Sequence, residues 1–134
     1  MIDCEPLVFT PIATALRNAF SGIFVAEEYV PQPARFPCVF IVEMDNTPDE
    51  RTQTNVSLEN HAIVMYQVDV FSNRVKGKRA ECKAILAAVD DEFAKLGFTR
   101  TYKNPTPNVS DGTIYRMTAR YRAEVSKDMV VYRR

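Results

Sequence analysis

An α+β domain, a mainly antiparallel or mixed sheet with two helices packed on one face, is what this sequence predicts from three observations. First, residues 76–96 carry a helical apolar stripe of Cys82, Ile85, Leu86, Val89, Phe93 and Leu96, about four turns long. Second, residues 113–125 alternate strictly: Tyr115, Met117, Ala119, Tyr121, Ala123 and Val125 share one face, and Arg116, Thr118, Arg120, Arg122 and Glu124 share the other. Third, the elements run helix, strands, hairpin, helix, hairpin, without the regular strand–helix alternation of a parallel fold. The chain has 134 residues, 46% of them hydrophobic and 25% charged, so a single domain spanning 1–134 is expected.

The first element, over 6–20, places Leu7, Val8, Ile12, Ala15, Leu16 and Phe20 on one helical face. Pro11 belongs in a first turn, which puts the start near Thr10, and Ser21-Gly22 ends the helix. A strand is expected over 23–30, broken by Pro31-Gln32-Pro33. Over 37–45, Cys38, Phe40, Val42 and Met44 lie on one face and Val39, Ile41, Glu43 and Asp45 on the other, so this strand is buried on both sides at one end. Residues 46–50 hold turn formers, with Pro48 at the second position of a type I turn. Thr52, Thr54, Val56 and Leu58 then return as an exposed strand. The strand over 61–71 directs Val64, Tyr66, Val68 and Val70 to one face. A polar hairpin arm, 45–60, is expected to protrude, and a protruding hairpin is marginally stable without a partner.

Ser72 or Asn73 is positioned to cap the long helix, and Gly97 to end it. A strand over 98–103, a loop over 104–112, the long strand over 113–125 and a short strand over 129–132 complete the domain.

Composition and spacing speak against most chemistry. Seventeen basic residues balance seventeen acidic ones, so net charge does not point to a nucleic-acid binder. No run approaches the ~18 apolar residues that span a bilayer. The opening Met-Ile-Asp-Cys-Glu-Pro is acidic and unlike a signal peptide. Three cysteines, Cys4, Cys38 and Cys82, are odd in number and widely spaced, which predicts reduced thiols and neither a disulfide framework nor a metal site. Cys38 and Cys82 read as small core hydrophobes, whereas Cys4 is free to be exposed but has no neighbouring cation to activate it. His61, the only histidine, reads as a solvated strand-end residue. The acidic run Asp90-Asp91-Glu92 splays its side chains about 100° apart on a helix, so it cannot converge on one metal. The glycines are scattered singly, leaving no phosphate loop. No catalytic, cofactor-binding or metal-binding residue is expected, and the protein is not expected to be an enzyme.

The charged surface suggests partners instead. Lys76, Lys78 and Arg79 at the start of the long helix, and Asp90, Asp91 and Glu92 near its end, oppose the helix dipole; they read first as a solvated face that keeps the protein soluble, and otherwise suit pairing with a neighbouring copy. Arg116, Arg120 and Arg122 form a row on one strand face, with Arg133 and Arg134 near in sequence, suited to a protein contact or a wet face.

The run Gln67-Val-Asp-Val-Phe-Ser-Asn, the helix over 76–96 and Gly97-Phe98-Thr99-Arg100 resemble the tail terminator, or tail completion, proteins of long-tailed bacteriophages. The N-terminal helix before a first hairpin and the late strand Tyr115-Arg-Met-Thr-Ala-Arg-Tyr-Arg-Ala-Glu-Val fit the same order of elements, over most of the chain. The resemblance implies a structural virion protein at the head-proximal end of the tail, assembled in the host bacterial cytoplasm. It implies a homo-oligomer, a hexameric ring, that caps the tail tube protein, stops its polymerisation and offers a surface to a head-completion or neck protein. On that reading Asp49, Glu50 and Arg51 in the arm are assigned to tube or neighbour contact, and the charges of the long helix to contact between subunits. A head–tail neck or connector protein and a small monomeric binding or regulatory domain are the alternatives.

Overall fold

The structure, a computed structural model, describes residues 1–49, 61–106 and 112–132. Its elements are α1 (Glu5–Ala19), β1 (Phe24–Ala26), β2 (Cys38–Pro48), β3 (His61–Ser72), α2 (Lys78–Leu96), β4 (Thr99–Pro105), β5 (Tyr115–Ser126) and β6 (Val131–Tyr132). They form the expected α+β architecture, with one six-stranded mixed sheet in the order β1-β2-β3-β5-β4. Only β1 runs parallel to its neighbour; the other pairings are antiparallel. β3 is central, flanked along its length by β2 and β5. The other edge of β5 is shared, with β4 along Met117–Arg122 and β6 at Glu124 and Val125.

Both helices cover one face of the sheet, the inner face. Val8, Ile12, Ala13 and Leu16 of α1 and Cys82, Ile85, Leu86, Val89 and Phe93 of α2 meet the inward residues of β2, β3 and β5 in one core. Fully burying each large side chain contributes roughly 1.5–3 kcal/mol. Aromatic rings occupy its centre: Phe93 lies flat on Tyr121, centroids 4.1 Å apart, with Tyr66 and Phe98 against its other sides at 6.2 and 5.2 Å. The Tyr121 and Tyr66 hydroxyls reach the rim and donate to Asp90 (2.9 Å) and Glu43 (3.3 Å), so these polar tips are buried with partners.

Several boundaries differ from those predicted. α1 begins at Glu5, not Thr10; Asp3 accepts the Glu5 N–H at 3.1 Å, and Pro6 takes the first-turn position expected of Pro11. Pro11 stands inside the helix on the exposed side. An interior proline costs about 3 kcal/mol, which burial of the α1 stripe offsets. Neither Ser72 nor Asn73 caps α2. Gly77, in the left-handed conformation (φ 83°), precedes its first turn. Ser72 instead donates from Oγ to Glu81 at 2.6 Å, tying the end of β3 to that turn. Gly97 (φ 91°) does end the helix: its N–H reaches the Ala94 carbonyl and that of Phe98 reaches Phe93, the Schellman pattern. The strand expected over 23–30 is only three residues long.

Residues 46–48, expected as part of a turn over 46–50, are strand instead. β2 continues through Pro48, paired with Ala62, because a bulge between Glu43 and Asp45 reverses its side-chain parity. Asp45 and Thr47 therefore share the outer face, bonded to each other at 3.0 Å, while Asn46 turns inward and donates to the Ile2 carbonyl at 2.7 Å. The first part of the expected arm is thus sheet. The return strand over 52–58 lies outside the described residues.

The outer face is not uniformly wet. At one end Cys38, Phe40 and Phe71 form a second small core, covered by Phe24, Val30 and Phe36. Below it, Asp69 and Thr118 are also buried.

Candidate functional site

The arginine row is built into a network across three strands. Asp69 of β3 is buried (6% exposed) and accepts at Oδ1 from Arg116 Nε (3.0 Å) and Thr118 Oγ1 (2.6 Å), and at Oδ2 from Gln67 Nε2 (3.0 Å). The Thr118 hydroxyl also lies 2.6 Å from that of Thr106. Arg116 packs its guanidinium over Phe71, 5.4 Å from the ring centre. Arg120 donates to Gln67 Oε1 at 3.1 Å and lies over Tyr102 of β4 at 5.2 Å. Register explains these contacts: Asp69 is opposite Thr118, Gln67 opposite Arg120, and Arg120 opposite Tyr102. Arg116 thus neutralises a buried acid, while Arg120 and the half-buried Arg122 remain on the surface. Asp69 is the residue that sequence reasoning missed. It is an acid within an apolar strand, and only adjacency of β3 and β5 gives it the arginine.

The acidic end of α2 is also partly occupied. Asp90 pairs with Arg100 of β4 at 3.0 Å and accepts from Tyr121, and Glu92 pairs with Lys95 at 3.0 Å. Asp91 is exposed. At the other end Lys78 and Arg79 lie in the first turn, while Lys76 precedes the helix. Between α2 and β4 runs a groove of about 260 Å³ edged by Lys83, Asp90, Asp91, Arg100 and Lys103.

The arm residues separate. Asp49, expected at an exposed tip, is buried (5% exposed), and its N–H extends the β2–β3 ladder to the His61 carbonyl at 2.8 Å. Glu50, Arg51, Arg133 and Arg134 lie outside the described residues. His61 is half-buried rather than solvated. Its ring packs on Tyr132 at 5.3 Å, and its buried Nδ1 has no hydrogen-bond partner among the described residues.

All three cysteines are free and buried, Cys4 included, whose exposure the sequence left open. Burial pushes the Cys38 and Cys82 thiols up to about 12. It raises Cys4 as well, whose Sγ lies 3.5 Å from the Tyr66 hydroxyl. Such thiols carry almost no thiolate near neutrality, so they are poor nucleophiles. Among the described residues no group of three or more His, Cys, Asp or Glu is placed to hold a metal ion. No helix among them is long and apolar enough to cross a membrane.

What the geometry offers is therefore surfaces: the β4 edge, the groove beside it, and the open part of the outer face. The family described as "Tail completion protein gp17" matches residues 13–126, from within α1 to the last residue of β5. The chain belongs to this phage tail completion family. The resemblance to tail completion proteins is thus one of family membership. A chain in the virion of a native gene transfer agent particle has a similar fold, with a TM-score of 0.64 at 18% identity, covering 90% of this chain and 92% of that one. No curated protein matches this sequence. A tail completion protein is a structural component of a phage tail, in keeping with a site made of surfaces.

Proposed function

We propose that this tail completion protein is the tail terminator: a ring of identical subunits, six by the family resemblance, on the head-proximal end of the tail tube. It stops tube growth by occlusion, matching the tube end on one side while presenting no surface to a further tube subunit. Its other side receives the head-completion or neck protein. The observation that carries this reading is the family match across residues 13–126. Two features support it. β4 is a sheet edge with every residue exposed, and exposed edges and charged faces are how small subunits join into closed rings. Glu50 and Arg51, which follow β2 in the chain, are assigned to the tube. Asp49 is buried and is not assigned to that contact.

The test is tail-tube polymerisation with purified tube protein, followed by electron microscopy and light scattering. The expected result is shorter tubes, each with a discrete cap at one end. Tubes of unchanged length, together with a protein that stays monomeric and does not bind them, would refute the terminator role.

A further inference from the structure

The net charge of zero conceals a separation of charge across the sheet. β1 and β4 are the two ends of the strand order, on opposite edges of the molecule. At the β4 edge, Arg100 and Lys103 on the strand, Lys83 on α2 and Arg120 beside Tyr102 present four cations. Asp90 and Asp91 offset part of this, and Asp90 is already held by Arg100 and Tyr121. At the β1 edge the sign is opposite. Glu27 and Glu28 line its depression, and the Glu5 carboxyl at the start of α1 is raised first by burial and then by the charges of Glu43, Asp3, Glu27 and Glu28. Arg17 and Arg35 lie there too, with their guanidinium groups on backbone carbonyls, Arg17 on Val25 and Arg35 on Gly22 and Ile23.

The two edges also differ in shape. β4 is a ridge: all seven residues are exposed, and Tyr102 stands beside the cations. The β1 edge is an open depression floored by Phe9, Val25 and Ala26 and rimmed by Glu27 and Glu28, with Arg17 on its wall held to the Val25 carbonyl. We propose that the basic β4 ridge of one copy docks into the acidic β1 depression of the next, a head-to-tail contact between unlike surfaces of the same chain. This rests on the ring-forming reading above and deepens it, because a heterologous contact closes into a ring when its rotation divides a full turn. β1 is only three residues long and its Val25 carbonyl already accepts from Arg17, so a continuous added strand is not available there. The contact is made by side chains. It is therefore salt-dependent, since exposed charges are screened beyond about 10 Å at 0.1 M salt.

The experiment uses the full chain and two double variants, Glu27→Lys/Glu28→Lys and Lys83→Glu/Lys103→Glu. The first has two basic edges and the second two acidic ones. Neither touches the Asp90–Arg100 pair or the Asp69 network. Sedimentation is measured with and without tail tubes at about 0.05 M and about 0.5 M salt, with thermal melting as the check on folding. The expected result is that each variant alone associates more than tenfold more weakly than wild type, that high salt weakens the wild type likewise, and that an equimolar mixture of the variants recovers assembly. Folded variants that assemble as wild type does, or a mixture that fails to recover, would overturn the edge pairing. If wild-type rings still cap tubes in that case, the terminator role stands without it. A wild-type protein that remains monomeric with and without tubes overturns both. Should a reversal variant melt early, Glu27→Gln/Glu28→Gln and Lys83→Gln/Lys103→Gln replace it, each expected to weaken association in the same direction; unchanged association overturns the proposal.

Discussion

On the inner face of the sheet, Phe93 lies flat against Tyr121 and the contacts are apolar and without fixed direction. On the outer face, Asp69 of the same central pair of strands holds Arg116 and Thr118 through hydrogen bonds of fixed geometry. The difference lies in what each face tolerates. An apolar core loses stability according to the volume removed. A buried ion pair loses most when one partner goes, because the other is left charged and unsolvated, and little when both are replaced together.

The largest effect is expected inside. Phe93→Ala empties a fully buried site that touches three other rings, and should cost about 3–5 kcal/mol in denaturant unfolding. A loss below about 1 kcal/mol would mean that the aromatic centre is not what holds α2 to the sheet.

Next comes the outer face. Asp69→Ala should cost about 2–4 kcal/mol, since it strands Arg116 and removes the carboxylate to which Thr118 and Gln67 donate. The double variant Asp69→Leu/Arg116→Met should recover most of that loss. Equal losses in the single and double variants would show that the two faces obey the same rule, and the comparison would fail.

Arg120→Ala is a smaller perturbation, because its bond to Gln67 and its contact with Tyr102 are at the surface. Less than about 1 kcal/mol is expected.

The smallest effect concerns charge at the rim. Burial raises the Glu43 carboxyl above its usual range. The folded state therefore holds its proton more tightly than the unfolded state, and stability associated with Glu43 is present at low pH and lost as pH rises through the folded value. Glu43→Gln keeps an acceptor for Tyr66 and removes this loss. It should melt slightly higher than wild type at about pH 7 and equally below about pH 4. A variant that melts lower at neutral pH would indicate that the charge itself is needed by Tyr66 and by Asn46, whose amide donates to the Glu43 carboxylate at 3.4 Å.

Much of the inner face was legible in the sequence. The α2 stripe from Cys82 to Phe93 and the alternation from Tyr115 to Val125 each place their buried residues as predicted, because periodicity is set by the backbone of one segment alone. The same periodicity misassigned β2 beyond Met44, where one bulged residue moved Asp45 to the outer face and Asn46 to the inner. Nothing in the local pattern marks that bulge. Its inward product, the Asn46 bond to the Ile2 carbonyl, joins residues 44 apart in the chain.

The candidate surface was legible only in part. Charge clusters are visible in a sequence, and Arg120 and Arg122 do reach the surface as read. Which charges stay available is a matter of partners: Arg116 faces Asp69 across 47 positions, and Asp90 faces Arg100 across the turn at Gly97. Glu27 and Glu28, which carry the acidic edge, attracted no attention as an isolated pair. They matter because the fold sets them at the mouth of the β1 depression, near enough for their charges to reach Glu5.

By itself, then, the sequence determined the α+β class, the two helices on one face, the inward residues of the long strands and the order of elements that resembles tail completion proteins. These follow from local periodicity, turn residues and chain order. The tertiary structure decided the burial of Cys4 and Asp49, the Asp69 network and the separation of charge between the two sheet edges. Each of those depends on which distant segments become neighbours, and a side chain's solvation and charge partners are fixed only then.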